Sequence, residues 1–169
     1  MSAWGTFKPA EGWTIHVAAT AKGLCRLSMA ETTRQFLSDL AEAFPGVEWR
    51  RDDNHPAIRA AAQQLEEYFR GERAHFDVPL DLRGTPFQLK VWQALRRIPY
   101  GETRSYRDLA QAVGNPKSSR AVGGANGRNP VGIIVPCHRV IAASGGLGGF
   151  SCGLAYKRKL LDLEAGAKA

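Results

Sequence analysis

The sequence predicts two parts of different architecture: an α/β part over residues 1–80, then a mostly helical part over residues 81–169 that contains a helix-turn-helix. Three observations lead there. Strand-like and helix-like hydrophobic patterns alternate in the first part. Helical stripes bounded by capping residues and tight turns dominate the second. The charge also changes where the parts meet: 9 Lys and Arg face 11 Asp and Glu over residues 1–80, whereas 14 face 5 over residues 81–169.

In the first part, "WTIHVAAT" and "GLCRLSMA" are strand-like runs separated by Ala21, Lys22 and Gly23, which predicts a hairpin. "TTRQFLSDLAEAF" places Phe36, Leu37, Leu40 and Phe44 at helical spacing. "HPAIRAAAQQLEEYFRGE" predicts a second helix, with Pro56 in its first turn, Ile58, Ala62, Leu65 and Phe69 on one stripe, and Gly71 at its end. "HFDVPLDLRGTP", interrupted by Pro79 and Pro86, reads as an extended linker. The second part opens with "PFQLKVWQALRRIPYG", where Phe87, Val91, Trp92 and Leu95 form a helical stripe that Pro99 stops.

The totals narrow the function. A hydrophobic content of 44% in 169 residues suits one ordinary domain or two small ones. No window reaches the roughly 18 consecutive apolar residues of a membrane span, and "MSAWGTFKPAEGW" lacks the charged start and apolar core of a secretory signal, so a soluble, cytoplasmic protein is expected. Cys25, Cys137 and Cys152 make an odd count without C-x-x-C spacing, which argues against a disulfide framework and leaves at least one thiol free. The basic second part suggests a polyanion, nucleic acid first, with a solvated surface as the alternative.

"SYRDLAQAVGNPKSSRAVGGANGRNP" has the parts of a helix-turn-helix. Ser105 can cap a helix through Val113, Gly114 to Lys117 make the turn, and Ser118 or Ser119 can cap a second helix to about Gly127. Gly123 and Gly124 inside that helix cost about 1 kcal/mol each relative to Ala. Either another helix packs closely there or a ligand approaches the backbone. Arg120, with Arg104, Arg107, Lys117 and Arg128 around it, favours a phosphate-bearing ligand.

"IIVPCHRVIA" carries the chemistry. Pro136 cannot donate a ladder hydrogen bond, so it ends the expected strand "VGIIV" and lets Cys137 and His138 lie near one pocket instead of on opposite faces. A thiol of ordinary pKa about 8.5 is mostly protonated at neutral pH, and an imidazole that takes its proton, directly or through one water, removes that limit. An acid must then orient the imidazole. The second part offers only Asp81, Glu102, Asp108, Asp162 and Glu164, of which the last two lie on the predicted C-terminal helix "LAYKRKLLDLEAG". The alternative is a cysteine serving as a small buried hydrophobe.

Taken together, "FQLKVWQALRRIPYGETRSYRDLA", "GNPKSSRAVGGANGRNP", "PCHRV" and "GLAYKRKLLDLE" resemble the O6-alkylguanine-DNA alkyltransferase family over roughly residues 84–166. The resemblance implies a repair protein that binds double-stranded DNA through the minor groove. It would rotate O6-alkylguanine out of the duplex and move the alkyl group irreversibly to its own cysteine. For the fold it implies a ribonuclease H-like α/β domain over residues 1–80, then a winged-helix-like domain over 81–169. Position by position, Cys137 matches the alkyl acceptor, His138 the base acting through water, Glu164 the acid that orients it, and Asn129 the hinge asparagine. Tyr106 matches the tyrosine contacting the guanine, and Lys157 a lysine assisting transfer. Arg120 matches the finger that fills the gap left by the base; Ser105, Ser119, Ala121 and Gly123 join it in DNA binding, and Val140, Phe150 and Ser151 join Tyr106 around the substrate.

Two positions depart from the family. Phe150 stands where tyrosine is common, and Cys152 where glycine is common. The resemblance implies a monomer, with cooperative binding on DNA left open. Some relatives bind zinc in the first domain, but His16, Cys25, His55 and His75 lack ligand spacing, so neither metal nor cofactor is expected. Two other classes remain: a relative that flags lesions without removing them, which would carry tryptophan at position 137, and a helix-turn-helix transcription regulator.

Overall fold

The computed structural model describes residues 1–9, 12–148 and 153–166. The chain divides into two compact units, Met1–Leu82 and Arg83–Ala169.

The first unit is a four-stranded sheet with a helix on each face. Its strands are β1 (Ala3–Phe7), β2 (Ile15–Thr20) and β3 (Gly23–Ser28), followed by helix α1 (Thr33–Ala43), the short strand β4 (Arg50–Arg51) and helix α2 (Pro56–Phe69). The sheet order is β3-β2-β1-β4; β1 and β2, like β2 and β3, are antiparallel, and β4 runs parallel to β1. Phe36, Leu40 and Phe44 of α1 pack on Trp4, Ala18 and Cys25. Strand alternation sends the next residue, Gly5, to the opposite face, where a Cβ on it would lie 3.4 Å from Ile58 of α2. Thr32 caps α1 by accepting from the Gln35 N–H, and Pro56 opens α2 behind the His55 cap.

Three details of this unit differ from the sequence reading. Strand β1 carries a central glycine and no clean alternation, and the two exposed residues of β4 show no pattern, so neither was legible. The 79–82 segment is not a free linker. Pro79 O accepts from Leu24 N–H at 2.9 Å and Asp81 N–H donates to Leu24 O at 2.7 Å, which lays the segment along the open edge of β3. Buried Asp81 also accepts from the Thr20 hydroxyl at 2.5 Å, which ties the segment up to Leu82 to the first unit. At Gly23, with φ +146°, a Cβ would collide with the Pro79 carbonyl, so this approach requires glycine.

The second unit holds α3 (Pro86–Arg96), β5 (Arg104–Ser105), α4 (Tyr106–Ala112), α5 (Ser119–Gly127), a 3-10 turn (Cys137–Arg139), β6 (Val140–Ile141) and α6 (Leu154–Gly166). A capping box between Thr85 and Gln88 starts α3, and a second between Ser105 and Asp108 starts α4. Buried Trp92 of α3 donates its indole N–H to the Ala125 carbonyl of α5 at 2.9 Å. Strands β5 and β6 pair in parallel, Arg104 with Val140 and Ser105 with Ile141. That pairing places the start of α4 beside the residues that follow the 3-10 turn.

The expected strand "VGIIV" does not form. Val131 is an isolated bridge residue, residues 132–134 form turns and Val135 a bend, although all five are buried. Val135 N–H reaches Val131 O at 3.0 Å and Ile134 N–H reaches Gly132 O at 2.8 Å, which closes a γ-turn at Ile133. Ile133 has φ +68°, and it is the only non-glycine residue of positive φ among those described. A β-branched residue there is strained by about 1–3 kcal/mol. A second γ-turn follows at Pro136, whose φ −82° and ψ 65° let Cys137 N–H donate to Val135 O at 2.8 Å.

Candidate active site

Asn129 holds this loop closed. Its Nδ2 donates to the Val135 carbonyl at 2.7 Å and its Oδ1 accepts from Val131 N–H at 3.0 Å, so one side chain binds both ends of the turn just after α5. The loop delivers the 3-10 turn that carries Cys137, His138 and Arg139, which are 4%, 0% and 6% exposed.

Helix α6 supplies the other side. Lys157, Leu160 and Glu164 face inwards at helical spacing, whereas Asp162 is exposed. Glu164 is buried with several N–H groups aimed at its carboxylate. His138 Nε2 lies 2.6 Å from Oε2, and Arg139 donates from Nε to Oε1 at 2.8 Å and from Nη2 to Oε2 at 3.0 Å. The backbone N–H of Gly101 adds a bond to Oε1 at 3.3 Å. Such donors favour the carboxylate over the acid. A carboxylate only accepts, so the imidazole carries its proton on Nε2, and Nδ1, which has no partner among the described residues, is left with the lone pair.

Burial lowers the His138 pKa, against the opposing pull of Glu164, while the positive charges of Arg139 and Lys157 lower it further. The imidazole is therefore neutral at pH 7. Lys157 Nζ donates to the Val140 carbonyl at 2.6 Å. Burial lowers its pKa too, and the charge of Cys137 offsets part of that. The charge of Lys157 thus acts on the Cys137 thiol, and His138, the next residue of the 3-10 turn, carries an unprotonated ring nitrogen.

Of the expected site residues, the fold brings Cys137, His138, Glu164, Lys157, Val140 and Asn129 into this cluster. Tyr106, half-buried at the start of α4, sets its ring between α5 and the 148 region. A Cβ on Gly123 would stand 3.8 Å from it, and one on Gly148 3.1 Å. Phe150, Ser151 and Cys152 lie outside the described residues.

Arg139 is the member that the sequence reading missed. Besides Glu164 it binds the Ile98 carbonyl through Nη1 at 2.7 Å, and its guanidinium lies 5.7 Å from the Tyr100 ring centroid. The signal was present: an arginine inside a buried apolar segment must find a charged partner. The partner, 25 residues further on, could not be read from the spacing.

The outer face belongs to α5. Val122, Ala125 and Asn126 are buried, while Arg120, Ala121, Gly124, Gly127 and Arg128 are exposed along one stripe. The structure rules out one reason for the glycines. A Cβ at Gly124 or Gly127 would meet nothing within 4 Å and one at Gly123 makes only ordinary contact, so close helix packing is not the reason for them. They leave a face of nearly bare backbone with arginine at both ends. Ser105 caps α4 as expected, its Oγ accepting from Asp108 N–H at 3.0 Å, whereas the Ser118 hydroxyl donates to Asn115 O at 2.6 Å. Neither Ser118 nor half-buried Ser119 caps α5 with its side chain.

Fold and site together define a protein of two units in which a buried thiol, backed by an imidazole and a multiply bonded carboxylate, stands behind a helix-turn-helix. Residues 6–82 match the family described as 6-O-methylguanine DNA methyltransferase, ribonuclease-like domain, and residues 86–166 match its DNA binding domain. The chain belongs to the 6-O-methylguanine DNA methyltransferase family. It is 58% identical over 112 residues to a methylated-DNA–protein-cysteine methyltransferase of Methanosarcina acetivorans, covering 66% of this chain and 72% of that one. A protein of the same name from Mycobacterium tuberculosis is 60% identical over 108 residues, 64% of this chain and 66% of that one. The crystal structure of Mycobacterium tuberculosis OGT in complex with DNA superposes with a TM-score of 0.83 at 45% identity, covering 98% of this chain and 94% of that one.

Among the described residues, no helix is long and apolar enough to cross a membrane, and no group of three or more His, Cys, Asp or Glu could hold a metal ion.

Proposed function

We propose that this chain repairs DNA by taking the alkyl group from O6 of guanine onto Cys137. The observation that carries the reading is the buried Cys137–His138 pair of the 3-10 turn, with Glu164 fixing the imidazole at 2.6 Å. His138 Nδ1 accepts the thiol proton, directly or through one water, and the ammonium of Lys157 favours the thiolate. The sulfur attacks the alkyl carbon; an S–C bond forms as the C–O6 bond breaks and its electron pair stays with the guanine oxygen. The guanine takes up one proton as it departs, which balances the one released by the thiol. A thioether has no good leaving group, so each molecule turns over once.

A base in the stack is out of reach of a buried sulfur, so the nucleotide must rotate out, at a cost of a few kcal/mol. The exposed stripe of α5 suits this task. Its small residues fit the minor groove, about 6 Å wide, and Arg120 fills the gap left by the base. Tyr106 contacts the extruded guanine and Asn129 keeps the loop of Cys137 in register. The protein acts as a monomer on double-stranded DNA. Chromosomal DNA as substrate agrees with a cytoplasmic location.

The test is a mass measurement. After incubation with a duplex containing O6-methylguanine, the peptide that holds Cys137 should gain one methyl group per molecule. An unmodified peptide would refute the reading.

A further inference from the structure

Arg139 donates from each of its guanidinium nitrogens to protein groups inside the site. It binds both oxygens of Glu164, anchors to Ile98 O, and lies under the Tyr100 ring. We infer that Arg139 is a positioning residue of the transfer reaction, one that shares the charge of Glu164 and thereby keeps the His138 imidazole free to receive the thiol proton. The inference rests on the reading of His138 as the base.

The physical reason is a conflict in the pair itself. A buried imidazole bonded to an unshared carboxylate is drawn towards imidazolium, and an imidazolium cannot act as a base. Orientation needs the carboxylate close; function needs its pull limited. A guanidinium forked over both oxygens meets both demands, because it fixes the plane of the carboxylate and adds a compensating positive charge. The charged groups facing His138 oppose one another as this requires: Glu164 from α6 raises its proton affinity, while Arg139 on the same turn and Lys157 from α6 lower it. Tyr100, on the loop after α3, meets Glu164 and Arg139 with a neutral hydroxyl, its pKa raised by burial and by the Glu164 charge.

The experiment is a single-turnover pH profile of methyl transfer on the O6-methylguanine duplex between pH ~5 and ~8, with Arg139→Gln and Arg139→Lys in the full chain. In the unaltered protein, transfer should fall on the acid side of a midpoint below 6.5, the ordinary histidine value. Arg139→Gln keeps hydrogen-bond donors and removes the charge, so the midpoint should move up by about 1 pH unit or more. Arg139→Lys restores the charge and should return the midpoint most of the way, even where the plateau rate stays lower. A rate loss with an unmoved midpoint in Arg139→Gln would overturn the inference and leave a purely structural arginine. An unaltered protein without any acid limb would remove His138 as the base, and the inference with it, which is a separate outcome.

If Arg139→Gln does not fold, the ring-nitrogen chemical shifts of His138 in the unaltered protein decide the matter. A neutral ring protonated on Nε2 at pH 7 supports the inference, and an imidazolium at that pH overturns it.

Discussion

Asn129 and Val135 are joined by a 2.7 Å hydrogen bond from side-chain amide to backbone carbonyl, across a turn in which Ile133 is held at φ +68°. That bond and its counterpart to Val131 N–H oppose the strain of the turn, and the position of the thiol two residues beyond Val135 depends on both.

Asn129→Ala should therefore leave the buried Val131 N–H without its Asn129 acceptor, at about 1–3 kcal/mol, and take from the Val135 carbonyl one of its two hydrogen bonds, leaving it the one from Cys137 N–H. Chemical denaturation should show a loss of roughly 2–4 kcal/mol, and single-turnover transfer should slow by more than the loss of folded protein explains. A variant with wild-type stability and rate would show that the loop holds itself.

The acid side of the stability profile carries a signature of the buried histidines. Burial lowers the pKa of both His138 and His16 from 6.5, with the charge of Arg51 adding to the shift at His16. Below that value the unfolded chain binds more protons than the folded one, so this part of the stability is complete above pH 6.5 and is lost as pH falls through the folded pKa. Melting temperature should decline between pH ~7 and ~5 in the unaltered protein and decline less in His138→Gln, where His16 alone remains. Lys157, also lowered by burial, acts only on the alkaline side.

Gly124 separates folding from DNA binding. It is exposed, and a Cβ added to it would have nothing within 4 Å, so Gly124→Leu should stabilise α5 by up to about 1 kcal/mol through helix propensity. The same side chain would obstruct a minor groove, and duplex affinity should fall at least tenfold in a binding titration. Unchanged affinity would move the DNA to another face.

Arg120→Ala should slow transfer from duplex DNA far more than reaction with a free O6-alkylguanine base, because only the duplex has a base to extrude. Comparing the two rates checks it; equal losses would deny Arg120 the finger role.

The parts of the molecule legible in the sequence are those set by local rules. Capping boxes, such as that of Ser105 with Asp108, depend on residues three apart, and the stripes of α1, α2 and α3 depend on spacing within a few turns. The chemistry of "PCHRV" was legible for the same reason, since Cys137 and His138 are neighbours. Periodicity failed at residues 131–135, because a short apolar run is equally apolar as a buried strand and as a buried turn.

By itself, then, the sequence determined the helices, the hairpin, the basic half and the pairing of thiol with imidazole. Only the tertiary structure decided that Asn129 would clasp a strained turn, that α5 would turn its glycines outward, and that Glu164 would be divided between His138 and Arg139. Those outcomes join atoms that chain spacing does not relate, and they follow from the need of every buried charge and backbone group to find a partner once the core has closed around it.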